Sequence, residues 1–510
     1  MYKVRVLQEI DDRLDAEYYN PAALSTLKKM ETKGTVTTFG NLVDEGYRVV
    51  YHGTDSINGL KDSEVLPFLS PTQIDANGSI NFEDADKLPL YYKDQYPKGL
   101  GKAGEILVEV KGNVSKVGIV PSAFPKNLMI SGSLYKATLD PKRVDSHYVL
   151  AFLKSKDGQI LKNRLTSNTI INYIAKDALY SIPVIEFKEK AQKYIGDKVR
   201  QAEQLRAWAK RLRTSVDDHL NSLNLPINEP PALLNRVSAQ TMEDRLDPRP
   251  YRTHYLCLVS EIEKLPHDSI GTLVALASGC PVSSNDFMEN SSIPLVRIRN
   301  IGFDDFIGLD TGVSQDVYQD ASKYQAKDKM IVVGMDGIFR SQFFVSDELP
   351  MLVNQRVAML SPQNIRGELL THWLNRPEGQ MQLNQWAVKT TVEHTSLSDI
   401  GRVLIPRLDK SLENKLADYL LNARLAYRYA KFLTQVAKTL VEALIEGQLT
   451  ERQLIEAQQA LEDVDNSLDQ AILSKLSAGG YAIEGATPLF SDVDELYSLL
   501  EEATQAEAEE

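Results

Sequence analysis

At 510 residues, 43% of them hydrophobic, the chain has material for more than one globular core, while its two cysteines, Cys257 and Cys280, show no metal-ligand spacing and cannot staple units of that size. MYKVRVLQEI lacks an apolar block of signal-peptide length and the longest mostly apolar stretch, 272–282, is too short to span a bilayer, so the sequence reads as a soluble, reduced, cytoplasmic protein with no membrane partner. The net charge of −13 argues against nucleic acid only until it is mapped: residues 447–510 hold 15 acids and 2 bases, and the rest of the chain balances.

In chain order, Asp12-Arg13-Leu14-Asp15 comes first, followed by a predicted helix over 21–30, where Pro21 suits a first helical turn. Strands are expected at 65–69, 105–110, 117–120 and 137–139, separated by breakers such as Asn77-Gly78 and Lys111-Gly112-Asn113. A helix over 145–153 leads to Ile182-Pro183. From there apolar residues fall in three- and four-residue steps at Ala191, Ile195, Val199, Ala202, Leu205, Ala209, Leu212, Val216, Leu220 and Leu223. That is a heptad seam. The helix carrying it is basic, with nine Lys or Arg against three acids over 188–213, which suits phosphates or an acidic partner as well as it suits a solvated face.

The order then repeats. Asp244-Arg245-Leu246-Asp247 returns, strands are expected at 293–298, 330–333, 343–345 and 357–360, a helix at 367–374, and Ile405-Pro406 opens a second seam through Leu416, Leu420, Ala423, Ala426, Ala430, Leu433, Ala437, Leu440 and Leu444. Gly40 matches Gly271, Pro67 matches Pro294, Ile106 matches Ile331, Gly158-Gln159 matches Gly379-Gln380, and Tyr194 matches Tyr419. The offset drifts only between 221 and 232, so the chain reads as a tandem duplication of two domains, each too long to be a solenoid repeat. Each long helix, roughly 35 residues and about 50 Å, is best covered by the other, antiparallel, with a pseudo-twofold axis. Two separate amphipathic helices capping their own domains are the alternative. The expected class is α+β with largely antiparallel sheets: a first domain at 1–187, a long helix at 188–224, a linker at 225–242, a second domain at 243–410, a long helix at 411–446 and an acidic helical tail at 447–510, partly disordered. In the tail, Thr450 with Gln453, and Ser491 with Asp494, have the spacing of capping boxes, predicting two short helices joined at Gly479-Gly480 that dock on a partner or on the basic first helix.

Catalytic strings are scarce. Glu109-Val110-Lys111 imitates the end of a metal-dependent nuclease site, but the second copy has Gly334-Met335-Asp336 and no acidic partner stands upstream. Asp247-Pro248-Arg249-Pro250-Tyr251 imitates the base-holding loop of amino-methyltransferases, interrupted by an arginine. No glycine-rich nucleotide loop is present, the seven histidines are scattered, and no metal or catalytic site is expected. What recurs is loop polarity suited to base edges and phosphates: Lys111, Asn113, Ser115, Lys116, Asn168 and Thr169 in copy one, and Arg297, Arg299, Asn300, Arg340, Gln342, Lys389 and Thr390 in copy two.

Taken together, the order domain, long helix, domain, long helix, the Gly104-Glu105-Ile106-Leu107 strand with its glycine loop, and Thr169-Ile170-Ile171 running into Ile182-Pro183, with Thr391-Val392-Glu393 running into Ile405-Pro406, resemble the specificity subunits of type I restriction-modification enzymes over roughly 1–447. The resemblance implies a non-catalytic DNA-binding subunit for antiviral defence. Each domain would read one half of a split duplex site, the helices would set the spacing and dock two methyltransferase subunits that carry S-adenosylmethionine and methylate adenine, and a motor-nuclease subunit would add restriction; this chain would hold no cofactor. The acidic tail departs from the family pattern. A duplicated coiled-coil scaffold that binds protein without reading DNA, and a metal-dependent nuclease, are the alternatives.

Overall fold

The computed structural model describes Arg13 and residues 15–508, except 84, 168–171, 231, 233, 241, 244, 304 and 390. By its contacts the chain divides into two units, Met1–Ala207 with Tyr429–Glu510, and Trp208–Arg428. The division falls inside both long helices, Glu189–Asn221 and Lys410–Glu446.

The first unit is built on a four-stranded antiparallel sheet in the order Val43–Tyr47, Leu134–Leu139, Ile106–Glu109, Val117–Ile119. Its central strand is buried at all four residues, which is why Ile-Leu-Val runs there without polar alternation. The helix Ser146–Lys154 packs against the sheet and starts where Asp145 accepts the N–H groups of His147 and Tyr148. A smaller sheet places Val65–Leu69 between Asp86–Pro89, antiparallel, and Met129–Ile130, parallel. Thr35–Thr38 pairs with Pro183–Glu186, tying the start of the domain to its exit.

The second unit has a four-stranded antiparallel sheet in the order Val274–Ser278, Val357–Pro362, Ile331–Gly334, Ser341–Phe343. Leu295–Val296 pairs in parallel with Leu352–Val353, and His267–Ser269 pairs with Leu404–Pro406. Trp373, fully buried, donates its indole N–H to Leu404 O at 3.0 Å; its core takes in Val216 and Leu220 from the first long helix and Leu416, Ala417 and Leu420 from the second. The strand expected at 293–298 is shorter than its apolar pattern suggests. It stops at Val296 because the Asn300 side chain folds back onto the Arg297 N–H and closes a helical turn over Ile298–Asn300.

Arg13 with Asp15, and Arg245 with Asp247, do the same work. Arg13 clips Asp15 at 2.8 Å and donates to Leu165 O at 3.0 Å, while the Tyr19 hydroxyl donates to Arg13 O at 2.7 Å. Arg245 clips Asp247 at 2.7 Å and donates to Trp386 O, while the Tyr251 hydroxyl donates to Arg245 O at 2.8 Å. Farther on, a Cβ on Gly158 would collide with Phe152 O and one on Gly379 with Trp373 O, and Gln159 and Gln380 each donate to the carbonyl six residues back, Leu153 O and Leu374 O. Both glycines allow two helices to meet at a tight corner.

Within the first unit the long helices run antiparallel, with Arg206 on Thr434 at 2.7 Å and the Lys188 N–H on Glu451 just past the other end. The residues of the expected seam are buried except Leu212 and Leu223, which are half-buried, and Tyr429, Val436, Val441 and Ile445, outside the seam, are buried too. The tail covers Tyr429, whose hydroxyl donates to Asp492 O at 3.2 Å. Thr450 and Gln453 form the expected capping box for Glu451–Glu462; Ser467–Leu473 follows, then a hairpin of Leu476–Ser477 with Gly480–Tyr481, then Val493–Ala508. There are three tail helices where two were expected, and the partial disorder expected at the C-terminal end gives way to helix as far as Ala508. At the start of the last helix the Asp492 carboxylate accepts the Asp494 N–H at 2.8 Å. The tail lies on the basic helix: Asp469, fully buried, receives Lys198 Nζ at 2.7 Å and the hydroxyls of Tyr194 and Tyr497, and Phe490 stacks on Tyr429.

Among the described residues no helix is long and apolar enough to cross a membrane.

Candidate nucleic-acid interface

The loop leaving the central strand of the first unit is held from inside. Glu109, buried, accepts the N–H of Asn113 at 3.1 Å, of Ser115 at 2.9 Å and of Lys116 at 3.1 Å. Gly112, at φ +119°, would set a Cβ 2.8 Å from the Glu109 carboxylate, so no other residue fits. Val114, β-branched, stands at φ 57°, a strained backbone made tolerable by its buried side chain and by Lys162, whose ammonium donates to Val114 O. Burial pushes Lys162 down to about 8, with Glu109 opposing and Lys154 adding to the shift. The nuclease-like reading of Glu109 and Lys111 is thereby corrected: the carboxylate is spent on its own loop. Among the described residues no group of three or more His, Cys, Asp or Glu stands together to hold a metal ion.

What this frame projects outward is Lys111, Asn113 and Ser115, all exposed, with Lys116 half-buried. Lys111-Gly112 pairs with Asn172–Tyr173, and over the Tyr173 ring lies Arg48, 5.5 Å from its centroid, donating to the Tyr173 hydroxyl at 3.0 Å and to Gly132 O at 2.7 Å. Arg48 was missed in the sequence because nothing local marks it; it reaches the loop through a partner 125 positions away. Asn168 and Thr169 lie outside the described residues.

The second unit holds its loop with other chemistry. The loop after Ile331–Gly334 bridges to the hairpin Val388–Lys389 with Glu393–His394: His394 Nδ1 sits 2.6 Å from Asp336 Oδ1, and Arg356 lies 3.7 Å from the same carboxylate. Arg340 lays its guanidinium 4.9 Å over the Phe303 ring, its Nε buried without a hydrogen-bond partner. Lys389, largely exposed, pairs loosely with Glu393 at 3.3 Å, and Ile338, Val388 and Val392 present apolar surface beside it. Thr390 lies outside the described residues.

Two expected readers are removed. Asn300 is 1% exposed; its amide donates to Ile307 O at 2.9 Å and Gly308 O at 2.6 Å while its oxygen caps Arg297. Gln342 is 2% exposed and donates to Phe303 O at 3.1 Å while accepting the Phe343 N–H at 3.0 Å. Both are buried struts of the 300–308 loop with no side-chain group left for a ligand. Arg297 and Arg299 do come together, on Asp310, at 3.5 and 2.8 Å, but only Arg299 is well exposed. Burial, then Arg299, lowers the Arg297 pKa, against Asp310. The Asp247-Pro248-Arg249-Pro250-Tyr251 string is also structural: Tyr251 accepts the Glu243 N–H and donates to Arg245 O, and Arg249 donates to Asn384 O.

No protein-family model matches the chain, and no curated protein matches it. Among solved structures it is similar to the S subunit of a type I restriction-modification system from M. genitalium, at 16% identity over 80% of this chain and 95% of that one, with a TM-score of 0.43. It is similar also to a chain from a structure of type I R-M complex assembly and conformational transition, at 11% identity over 82% and 98% with a TM-score of 0.28, and to the HsdS subunit of Thermoanaerobacter tengcongensis, at 12% identity over 82% and 97% with a TM-score of 0.27.

Proposed function

We propose that the chain is a non-catalytic, cytoplasmic DNA-specificity subunit of a type I restriction-modification complex, made of two duplicated target-recognition domains. The observation that carries the reading is the repeated clip: an arginine, the aspartate two residues on, and a tyrosine that bonds back to the arginine's carbonyl, in two domains with one strand order. Duplicated domains joined by antiparallel helices suit a bipartite duplex site, one half per domain, with the helices setting the gap. The loops that would read it are Lys111, Asn113, Ser115 and Lys116 with Arg48 in the first unit, and Arg340, Lys389 and Arg299 with Arg356 in the second, with Arg297 as a support.

Two methyltransferase subunits bearing S-adenosylmethionine would flip and methylate adenine, and a motor-nuclease subunit would add restriction. With no net charge outside the tail, the subunit alone binds DNA weakly and leaves much of the phosphate contact to its partners. The test is co-purification with the host's methyltransferase subunit and titration of duplex DNA across salt concentrations. The reading expects a stable complex and binding that weakens steeply with salt. A complex that assembles but never binds DNA would favour the protein-binding scaffold.

A further inference from the structure

The first unit carries a group of lysines, of which only Lys116 belongs to the reading loop. The Asn77-Gly78 turn lies against the sheet and its helix, since a Cβ on Gly78 would sit 2.9 Å from Val117 O and 3.3 Å from Leu150 Cδ1. Around that turn stand Lys116, which precedes Val117; Lys154, one helical turn past Leu150; and Lys438 on the second long helix, whose Nζ donates to Asn77 Oδ1 at 3.2 Å. All three are half-buried. The carboxylates that face them are engaged: Asp75 accepts the N–H of Asn77 at 2.7 Å and of Ser79 at 2.9 Å, and Glu442 accepts the Lys156 N–H at 2.7 Å. Burial, then Lys438 and Lys116, hold Lys154 down to about 8 against the pull of Asp75, and burial lowers Lys438 as well.

The second unit resolves the same position differently. Lys154 ends the helix Ser146–Lys154; the matching helix, Gly367–Asn375, ends in Asn375, which exchanges two hydrogen bonds of 2.9 Å with the backbone of Ser341. There the corner is neutral and saturated. In the first unit three partly desolvated ammonium groups share the two carboxylates of Asp75 and Glu442 instead, which leaves positive charge over for an anion.

We infer that Lys116, Lys154 and Lys438, with the amide nitrogen of Asn77, form a binding site for a phosphoryl anion. A multi-oxygen anion suits several point-charge donors converging from three elements. Resting on the function proposed above, its source is a phosphate of the nucleic-acid backbone flanking the loop at Lys111–Lys116; a free phosphoryl anion offers the same chemistry.

The test uses the full chain, wild type against a Lys154→Gln, Lys438→Gln double variant. In thermal melts, millimolar inorganic phosphate is compared with chloride at equal ionic strength. The inference expects a phosphate-specific rise in Tm for the wild type, none for the variant, and a variant that without phosphate melts at or above the wild type, because the repulsion is relieved. In complex with its methyltransferase partners, the variant should lose about 1 from the slope of log affinity against log salt, one phosphate contact, if the source is DNA; a phosphate-specific rise with an unchanged slope assigns the site to a free anion. No phosphate-specific rise together with an unchanged slope overturns the inference, and so does a variant that melts well below the wild type without phosphate, since the lysines would then be structural. If no DNA binds at all, the functional proposal fails while the phosphate melts still decide this one.

Discussion

Replacing Asp469 with alanine should loosen the acidic tail from the basic helix, and the size of the effect follows from what is left behind. Lys198, 1% exposed, lies 2.7 Å from one carboxylate oxygen and 2.8 Å from the other, and Tyr497 donates to the same group at 2.6 Å. Removing the carboxylate strands a buried ammonium, which costs about 3–5 kcal/mol. For a unit of this size that is a fall in Tm of roughly 10 °C. Replacing both partners, Asp469→Leu with Lys198→Met, removes the charge together with its counter-charge and should recover most of the loss. The pH dependence has a fixed sign. Burial would raise the Asp469 pKa, but Lys198 and the two tyrosine hydroxyls together carry it below the ordinary carboxylate value. Its contribution is therefore complete above the unfolded value of about 4 and disappears as pH falls through the lower folded value, so the gap between wild type and Asp469→Ala should narrow only below about pH 4. Thermal melts and limited proteolysis of the tail measure this directly. A Asp469→Ala chain that melts within about 2 °C of wild type at pH 7, with its tail equally protected, would refute the reasoning.

Alanine at Arg340 or Lys389 should relax reading of one half-site by about 1–3 kcal/mol per lost base contact while the other half stays required; selection of bound duplexes gives the answer, and uniform weakening on all sequences would make these residues phosphate contacts. Gln342→Ala should instead cost about 1–3 kcal/mol of stability in denaturant melts, since it leaves Phe303 O without its donor. Arg13→Ala and Arg245→Ala should destabilise by similar amounts, about 1.5–3 kcal/mol each, because each arginine clips the aspartate two residues on and donates to a distant carbonyl, Leu165 O or Trp386 O; a large disparity between their melts would count against equivalent domains. Four residues inserted after Leu205 together with four after Arg428 lengthen both helices by about 6 Å, so the preferred gap between half-sites should grow by one or two base pairs.

The arginine clips and the glycine corners were legible because their marks are local: an arginine spaced two residues from an aspartate, and a Gly-Gln pair ahead of an Ile-Pro exit. Helix periodicity likewise gave Glu189–Asn221 and Lys410–Glu446 within a few residues. Side-chain duty was not legible. Asn300 and Gln342 have the amides that read bases, but what they bond, Ile307, Gly308, Gly302 and Phe303, depends on how a loop folds back. Glu109 looked like a metal ligand because its acceptors' partners are backbone N–H groups, which no residue pattern displays. Val43–Tyr47 and Val274–Ser278 escaped because edge strands with exposed polar or small residues carry little alternation. In the tail, Asp469 is one acid among 15, and only its neighbours in space distinguish it from a solvated charge.

The central claim is that two equivalent domains read two halves of one DNA site. Sequencing N6-methylated adenines in host DNA, with and without this chain, tests it most directly. The account predicts a motif that depends on the chain and consists of two short specific halves separated by a fixed run of unread base pairs, with changes in the Arg340 and Lys389 loops altering one half alone. A single contiguous motif, or methylation that is the same without the chain, would contradict it.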